Sequence, residues 1–151
     1  MAVEAHWLVE EVERTSDRLD ALRSSAFVFW MDVHGPVPCP GHGKDLAAAA
    51  VAAYGEVTRV TGVDPANDWR SEVREAAHRM GHFAELFRGE ARKEPEFLVE
   101  WVLEIVEDTL GTVLAAGRVT HRPPGWYAAL WEDWILVTDG WAVVLSLTND
   151  S

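Results

Sequence analysis

The chain has 151 residues with a single cysteine, and its 13 basic and 25 acidic side chains give a net charge of −12. This length can bury a full core as one domain, residues 1–151, without disulfides. The acidic balance excludes a generally basic nucleic-acid binder, because attraction to phosphate requires concentrated positive charge. The lone Cys39 favours the cytoplasm, and the charge-rich start MAVEAHWLVEEVE indicates neither a signal peptide nor a membrane anchor.

Apolar residues recur at helical spacing in four segments, and this periodicity predicts four helices, at about 4–24, 45–61, 64–90 and 95–116. The third segment has the clearest core stripe: Trp69, Val73, Ala76, Met80, Phe83 and Phe87. Residues 27–33 (FVFWMDV) suit a helix or a buried strand, and the helical register that continues through them favours the helix. The proline- and glycine-rich residues 34–43 (HGPVPCPGHG) are predicted to form a loop.

The last part of the chain, about 126–148, has the pattern of a β-hairpin. The Asp139-Gly140 pair predicts a two-residue turn, which places Leu136 opposite Val143. Both sides of this ribbon are apolar, and an isolated hairpin is marginal in water. One side is therefore expected to pack on the helices, and the other to meet a third strand, a second subunit or a partner.

The predicted fold is α+β and mostly α, with about four helices in a bundle-like core (4–117) followed by the C-terminal β-hairpin. The leading functional interpretation is a small acidic binding or regulatory protein of the cytoplasm, which acts through contacts with a protein partner or as a homodimer. Neither nucleic acid nor a membrane is expected as a partner. The acidic helix faces and one set of hairpin residues are the expected contact surface: Trp131, Trp134, Ile135, Val137, Trp141 and Val144.

A second hypothesis is a zinc site built from cysteine and histidine. Cys39 and His42 are three residues apart in the predicted loop, and His78 and His82 are four apart on the third predicted helix, where they point the same way. Thiolate and imidazole are ligands that zinc takes. Both helical histidines fall opposite the core stripe, so the loop would have to fold back over the helix. Without a metal, they are two exposed histidines and a small cysteine.

Two pairs of carboxylates suggest a different metal chemistry. Glu72 and Glu75 lie on the third predicted helix, and Glu104 and Glu107, with Asp108 beside them, lie on the fourth. These pairs resemble the carboxylate motifs of MazG-like all-α nucleoside triphosphate pyrophosphatases. The resemblance implies a pyrophosphohydrolase that holds magnesium between two facing helices. The alternative is a row of glutamates on a solvated helix face.

Other catalytic signatures are missing from the sequence. It contains neither a phosphate-binding loop nor a dinucleotide fingerprint, and no glycine elbow accompanies Cys39. His6 and His121 are interpreted as surface histidines. No catalytic residue is assigned, and the sequence favours a binding protein over an enzyme.

Overall fold

The computed structural model describes residues 3–22, 28–39, 45–123, 125 and 127–150. Five α-helices lie within these residues: α1 (Val3–Ala21), α2 (Leu46–Tyr54), α3 (Trp69–Met80), α4 (Phe83–Leu86) and α5 (Lys93–Leu110). A short 3-10 helix, Gly89–Arg92, precedes α5. Five strands complete the fold: β1 (Val28–Pro38), β2 (Arg59–Pro65), β3 (Ala115–Arg122), β4 (Leu130–Val137) and β5 (Trp141–Asp150). Among the described helices, none is long and apolar enough to cross a membrane.

The strands form one antiparallel sheet in the order β1-β5-β4-β3-β2. The predicted pairing of the last two strands agrees with this sheet, since Leu136 lies opposite Val143. The prediction of a helical bundle followed by a hairpin is wrong, because β1 and β3 pair with the outer edges of β5 and β4. These strands satisfy backbone groups that a separate hairpin would leave to water.

Helices cover both faces of the sheet, so the core has two parts. Helices α1, α3 and α5 pack on one face over residues such as Trp134, Leu136 and Leu145. The short helix α2 packs on the other face over a smaller cluster that includes Ile135 and Val144. The apolar residues on both sides of the ribbon are therefore buried by the chain itself. All six residues of the stripe predicted for the third helix are buried, although Phe83 and Phe87 lie beyond the end of α3: Trp69, Val73, Ala76, Met80, Phe83 and Phe87.

Two segments interpreted as helix or loop are strands. Residues 28–33 begin β1, and β1 continues to Pro38 through most of the described part of the predicted loop. Every second residue of β1 up to Val33 is buried, which is the spacing of a strand. The second helix ends at Tyr54 instead of near residue 61, because Gly55 takes a positive φ of 64° and the β-branched residues that follow form β2.

The third and fourth predicted helices are shorter than expected. Helix α3 ends at Met80, and Gly81 and His82 then redirect the chain, with His82 in the left-handed region at φ 52°. The fourth ends at Leu110, where Gly111 takes a φ of 97°. The residues that follow, predicted to end the helix, instead lead into β3. Helical periodicity therefore located these helices but not their ends.

Candidate functional site

Helix α2 is too short to cover its face of the sheet. Its nine residues span about 13 Å, whereas the ten residues of β5 span roughly 33 Å. Two rows of side chains on β1, β5 and β4 lie beyond the cluster that α2 buries. The inner row is Asp32, Ser146 and Asp133, and the outer row is Trp30, Thr148 and Trp131. The inner row places two carboxylates on a partly open sheet face.

Asp133 is the centre of a buried hydrogen-bond network. Its side chain is almost fully buried, with 1% of the residue exposed. The Tyr54 hydroxyl donates to Oδ2 over 2.5 Å and the Tyr127 hydroxyl donates to the same oxygen over 3.1 Å. The Ser146 hydroxyl donates to Oδ1 over 2.7 Å. Three donors therefore satisfy a carboxylate whose burial would otherwise be very unfavourable.

His121 lies against this carboxylate, with 4% of the residue exposed. Its Nε2 is 2.9 Å from Asp133 Oδ2, close enough for an ion pair but without the alignment of a hydrogen bond. Its Nδ1 is 2.8 Å from the Thr58 hydroxyl. The interpretation of His121 as a surface histidine is wrong: strand alternation in β3 turns it towards the face that α2 covers, where its ring contacts Tyr54 and Trp131.

His34 and Asp32 lie two residues apart on β1, and both are half-buried. His34 Nε2 is 3.0 Å from the Tyr127 hydroxyl, which links it to Asp133. Burial lowers the pKa of His34, and this outweighs the opposing charges of the two nearby aspartates. Burial raises the pKa of Asp32, although its carboxylate accepts a hydrogen bond from the Val33 N–H. The fold thus keeps His34 neutral at neutral pH and disfavours the charge on Asp32.

The two tyrosines are held as hydrogen-bond donors. Burial raises the phenol pKa of both Tyr54 and Tyr127, and the neighbouring charge of Asp133 raises it further. Both hydroxyls therefore stay protonated at neutral pH. When Tyr127 donates to Asp133, its oxygen can accept the Nε2–H of His34, which leaves a lone pair on Nδ1 of His34. A chain of hydrogen bonds then connects a half-buried base to a buried carboxylate.

The three predicted zinc ligands that the structure describes, Cys39, His78 and His82, do not come together. Cys39 packs against the cluster under α2 and lies beside the turn before β5, where its N–H donates to Gly140 O. His78 and His82 lie at or just beyond the C-terminal end of α3. This end of α3 contacts the opposite end of β5, where the Asn149 side chain donates to Met80 O. His42 is outside the described residues. Within the described part of the chain, no group of three metal-binding side chains occurs.

His82 also fails the geometric premise of the pair, because it lies beyond the end of α3. The ring of His78 stacks on Phe83, with ring centroids 5.0 Å apart. Burial lowers the pKa of His78. The two histidines line a surface groove of about 460 Å³, and the other charged residues of its lining balance: Arg79 and Arg92 against Glu75 and Glu85.

The paired glutamates bind an arginine of the same chain. Helices α3 and α5 do pack together, but Arg70 donates to Glu107 over 2.9 Å and to Glu104 over 3.2 Å. Glu72 accepts instead a 3.5 Å hydrogen bond from the Trp134 indole, and Glu75 is exposed. An arginine thus takes the place at which the MazG-like interpretation requires a metal ion.

The hairpin residues expected to bind a partner are mostly inside the protein. Four of them are at most 1% exposed: Trp134, Ile135, Val137 and Val144. Trp131 and Trp141 are half-buried, and Trp131 packs on His121 and Tyr127 with ring centroids 5.6 and 5.4 Å away. The two-sided apolar ribbon therefore has its partners within the chain, and Trp131 belongs to the polar site.

Sequence reasoning missed most of this polar site. One signal was present: in the predicted register Asp133 lies on the same side of the ribbon as Ile135 and Val137, so a carboxylate falls among buried residues. Tyr54, His121 and Tyr127 come from separate segments, and only the tertiary fold brings them together. Comparison with protein families, curated proteins and solved structures finds no match to this chain.

Proposed function

We propose that the partly open sheet face binds a small polar ligand and exchanges a proton with it. The observation that supports this is the linked set of His34, Tyr127 and Asp133, in which a half-buried imidazole is joined to a buried carboxylate. Titratable groups with shifted pKa values that converge at a partly buried site are typical of catalytic and binding sites. We further propose a cytoplasmic location, because a lone cysteine stays reduced there.

Each residue has a distinct role in this proposal. His34 accepts a proton from the ligand, because its lowered pKa leaves it unprotonated at neutral pH. Tyr127 holds the His34 ring in one orientation and one tautomer. Asp133 fixes Tyr127 and stabilises positive charge that develops on His34. Tyr54 and His121 also position Asp133, and the Tyr54 ring lies 5.0 Å from the His34 ring.

Nuclear magnetic resonance with a set of single-ring polar fragments tests the proposal. We expect His34 to titrate below its ordinary pKa of 6.5 in the free protein. We also expect bound fragments to shift the His34 and Tyr127 signals together in a saturable manner. His34→Gln should weaken binding about tenfold, the effect of one polar contact.

The matched control is His6→Gln, since His6 lies on α1 and forms an exposed pair with Glu10. It should leave fragment affinity unchanged. The proposal is wrong if no fragment shifts the His34 signals, or if the two substitutions weaken binding equally.

A second candidate function is protein contact through a groove between α1 and α5. The observation that favours it is Phe97, which is 63% exposed at the rim of this groove of about 640 Å³. The charged lining residues balance, two arginines against two glutamates: Arg14, Arg18, Glu11 and Glu94. A second copy of the chain can therefore meet this groove without the repulsion that a net charge of −12 produces elsewhere.

A further inference from the structure

The outer row of the open face places two tryptophans on either side of a threonine. Trp30 on β1 and Trp131 on β4 both lie opposite Thr148 on β5, and all three are half-buried. Adjacent strands are about 4.8 Å apart, so the backbones that carry the two tryptophans are roughly 10 Å apart. The two indoles therefore flank Thr148 on one face of the sheet.

The charged side chains in the neighbouring row of this face are negative. Asp32 and Asp133 are one row away, on the same two strands as the tryptophans. The three strands that build the face, β1, β5 and β4, contain no lysine or arginine. The Asp133 oxygens already accept three hydroxyl donors, whereas Asp32 Oδ1 accepts the N–H of the next residue in the chain. Asp32 is thus the carboxylate with capacity for a further donor.

A further buried polar atom has no hydrogen bond in this structure. Nε2 of His121 is fully buried and unpaired by hydrogen-bond geometry, although it lies 2.9 Å from Asp133. Its ring contacts both Tyr127 and Trp131, so it forms part of the wall next to the tryptophan row. Aromatic faces beside a carboxylate suit a charged ligand better than an apolar one.

We propose that the ligand of this face is an organic cation, an ammonium group carried on a small apolar body. Trp30 and Trp131 supply the electron-rich ring faces, and Asp32 accepts the N–H groups of the ammonium. This inference rests on the proposed binding function of the same face and specifies its ligand class. A bound ammonium group would also stabilise the ionised form of Asp32, which burial otherwise disfavours.

Three single-ring probes of similar size and different charge test the inference: benzylamine, benzyl alcohol and benzoate. Their binding is followed by the indole N–H signals of Trp30 and Trp131, assigned with the Trp30→Phe and Trp131→Phe variants. We expect benzylamine to shift both signals and to bind about tenfold more tightly than either other probe. Asp32→Asn should remove most of this preference, whereas Asp64→Asn, at an exposed position on β2, should not.

Each other outcome overturns the inference in a distinguishable way. If benzyl alcohol or benzoate binds at the same residues as tightly as benzylamine, the cation preference is wrong and the polar-ligand site remains. If Asp32→Asn and Asp64→Asn reduce benzylamine binding equally, the general negative charge is responsible. If benzylamine shifts neither indole signal, the inference is wrong, and the fragment titration of His34 decides separately on the proposed function.

Discussion

The folded structure buries much of the Asp32 side chain, and this burial makes its ionised form unfavourable. Burial raises its pKa, so the ionised form is less favourable in the folded chain than in the unfolded chain. A raised pKa contributes stability below the unfolded value of 3.8, and that contribution is lost as the pH rises through the folded pKa. At neutral pH, therefore, the charge of Asp32 destabilises the protein.

We predict that Asp32→Asn raises the free energy of unfolding at pH 7 by up to about 1 kcal/mol. Asparagine keeps the oxygen that accepts the Val33 N–H and removes the unfavourable charge. Urea unfolding at pH 7 and pH 4 measures the effect, which should shrink at the lower pH. A loss of stability at pH 7 would mean that the carboxylate is needed by the fold, and the exposed Asp64→Asn control should change little.

For single residues, the sequence indicates which side chains can do chemistry but not which other side chains they contact. Asp133 could be located from the predicted strand register, because it falls on an apolar side of the ribbon. Its donors could not be located, since Tyr54 and Tyr127 lie on different elements and reach Asp133 only through tertiary packing. The histidine spacing predicted that His78 and His82 point the same way from one helix, and this premise is wrong because His82 lies past the end of α3.

At the scale of elements, strands β2 and β3 and helix α2 pack closely together around Gly117. Gly117 is buried on β3 opposite Pro65, and a Cβ built on it would collide with the Val63 side chain and lie 2.9 Å from Asp64 O. It would also lie 3.2 Å from the Leu46 side chain on α2. The absence of a side chain at this position therefore lets the strand pair and the helix approach each other.

We predict that Gly117→Ala destabilises the protein by about 1–3 kcal/mol, the usual effect of overpacking a close contact. Gly62→Ala on β2 is the matched control, because nothing lies within 4 Å of a Cβ at that position. It should be neutral or slightly stabilising, since alanine restricts the unfolded chain. Equal effects in thermal unfolding would contradict the packing argument.

Strand identity was the main error of sequence reasoning at the scale of elements. The β4–β5 register was predictable because Asp139-Gly140 fixes the turn and thereby every pair that follows. The partners of that ribbon, β1 and β3, have no such local signal. Phe29 to Val33 fits both helical and strand periodicity, the helical register favoured the helix, and pairing with β5 decides for the strand.

For the whole molecule, the layered architecture explains why an apolar ribbon needs no outside partner. Val144 is fully buried under α2, whereas Phe97 is exposed at the rim of the α1–α5 groove. The two residues therefore report on different properties of the protein. Val144 reports on internal packing, and Phe97 reports on contact with a second copy.

We predict that Val144→Ser lowers the free energy of unfolding by about 2–4 kcal/mol, because it leaves a cavity and buries a hydroxyl. It should not change the sedimentation coefficient of the folded protein. Phe97→Ser should have the opposite profile, with little loss of stability and loss of any concentration-dependent dimer, since its side chain is already largely in water.

If Val144→Ser instead altered association at unchanged stability, the face under α2 would be open to partners and the layered architecture would be wrong. If Phe97→Ser left sedimentation unchanged at every concentration, self-association through the groove would be excluded, and the polar site on the opposite face would stand as the only proposed function.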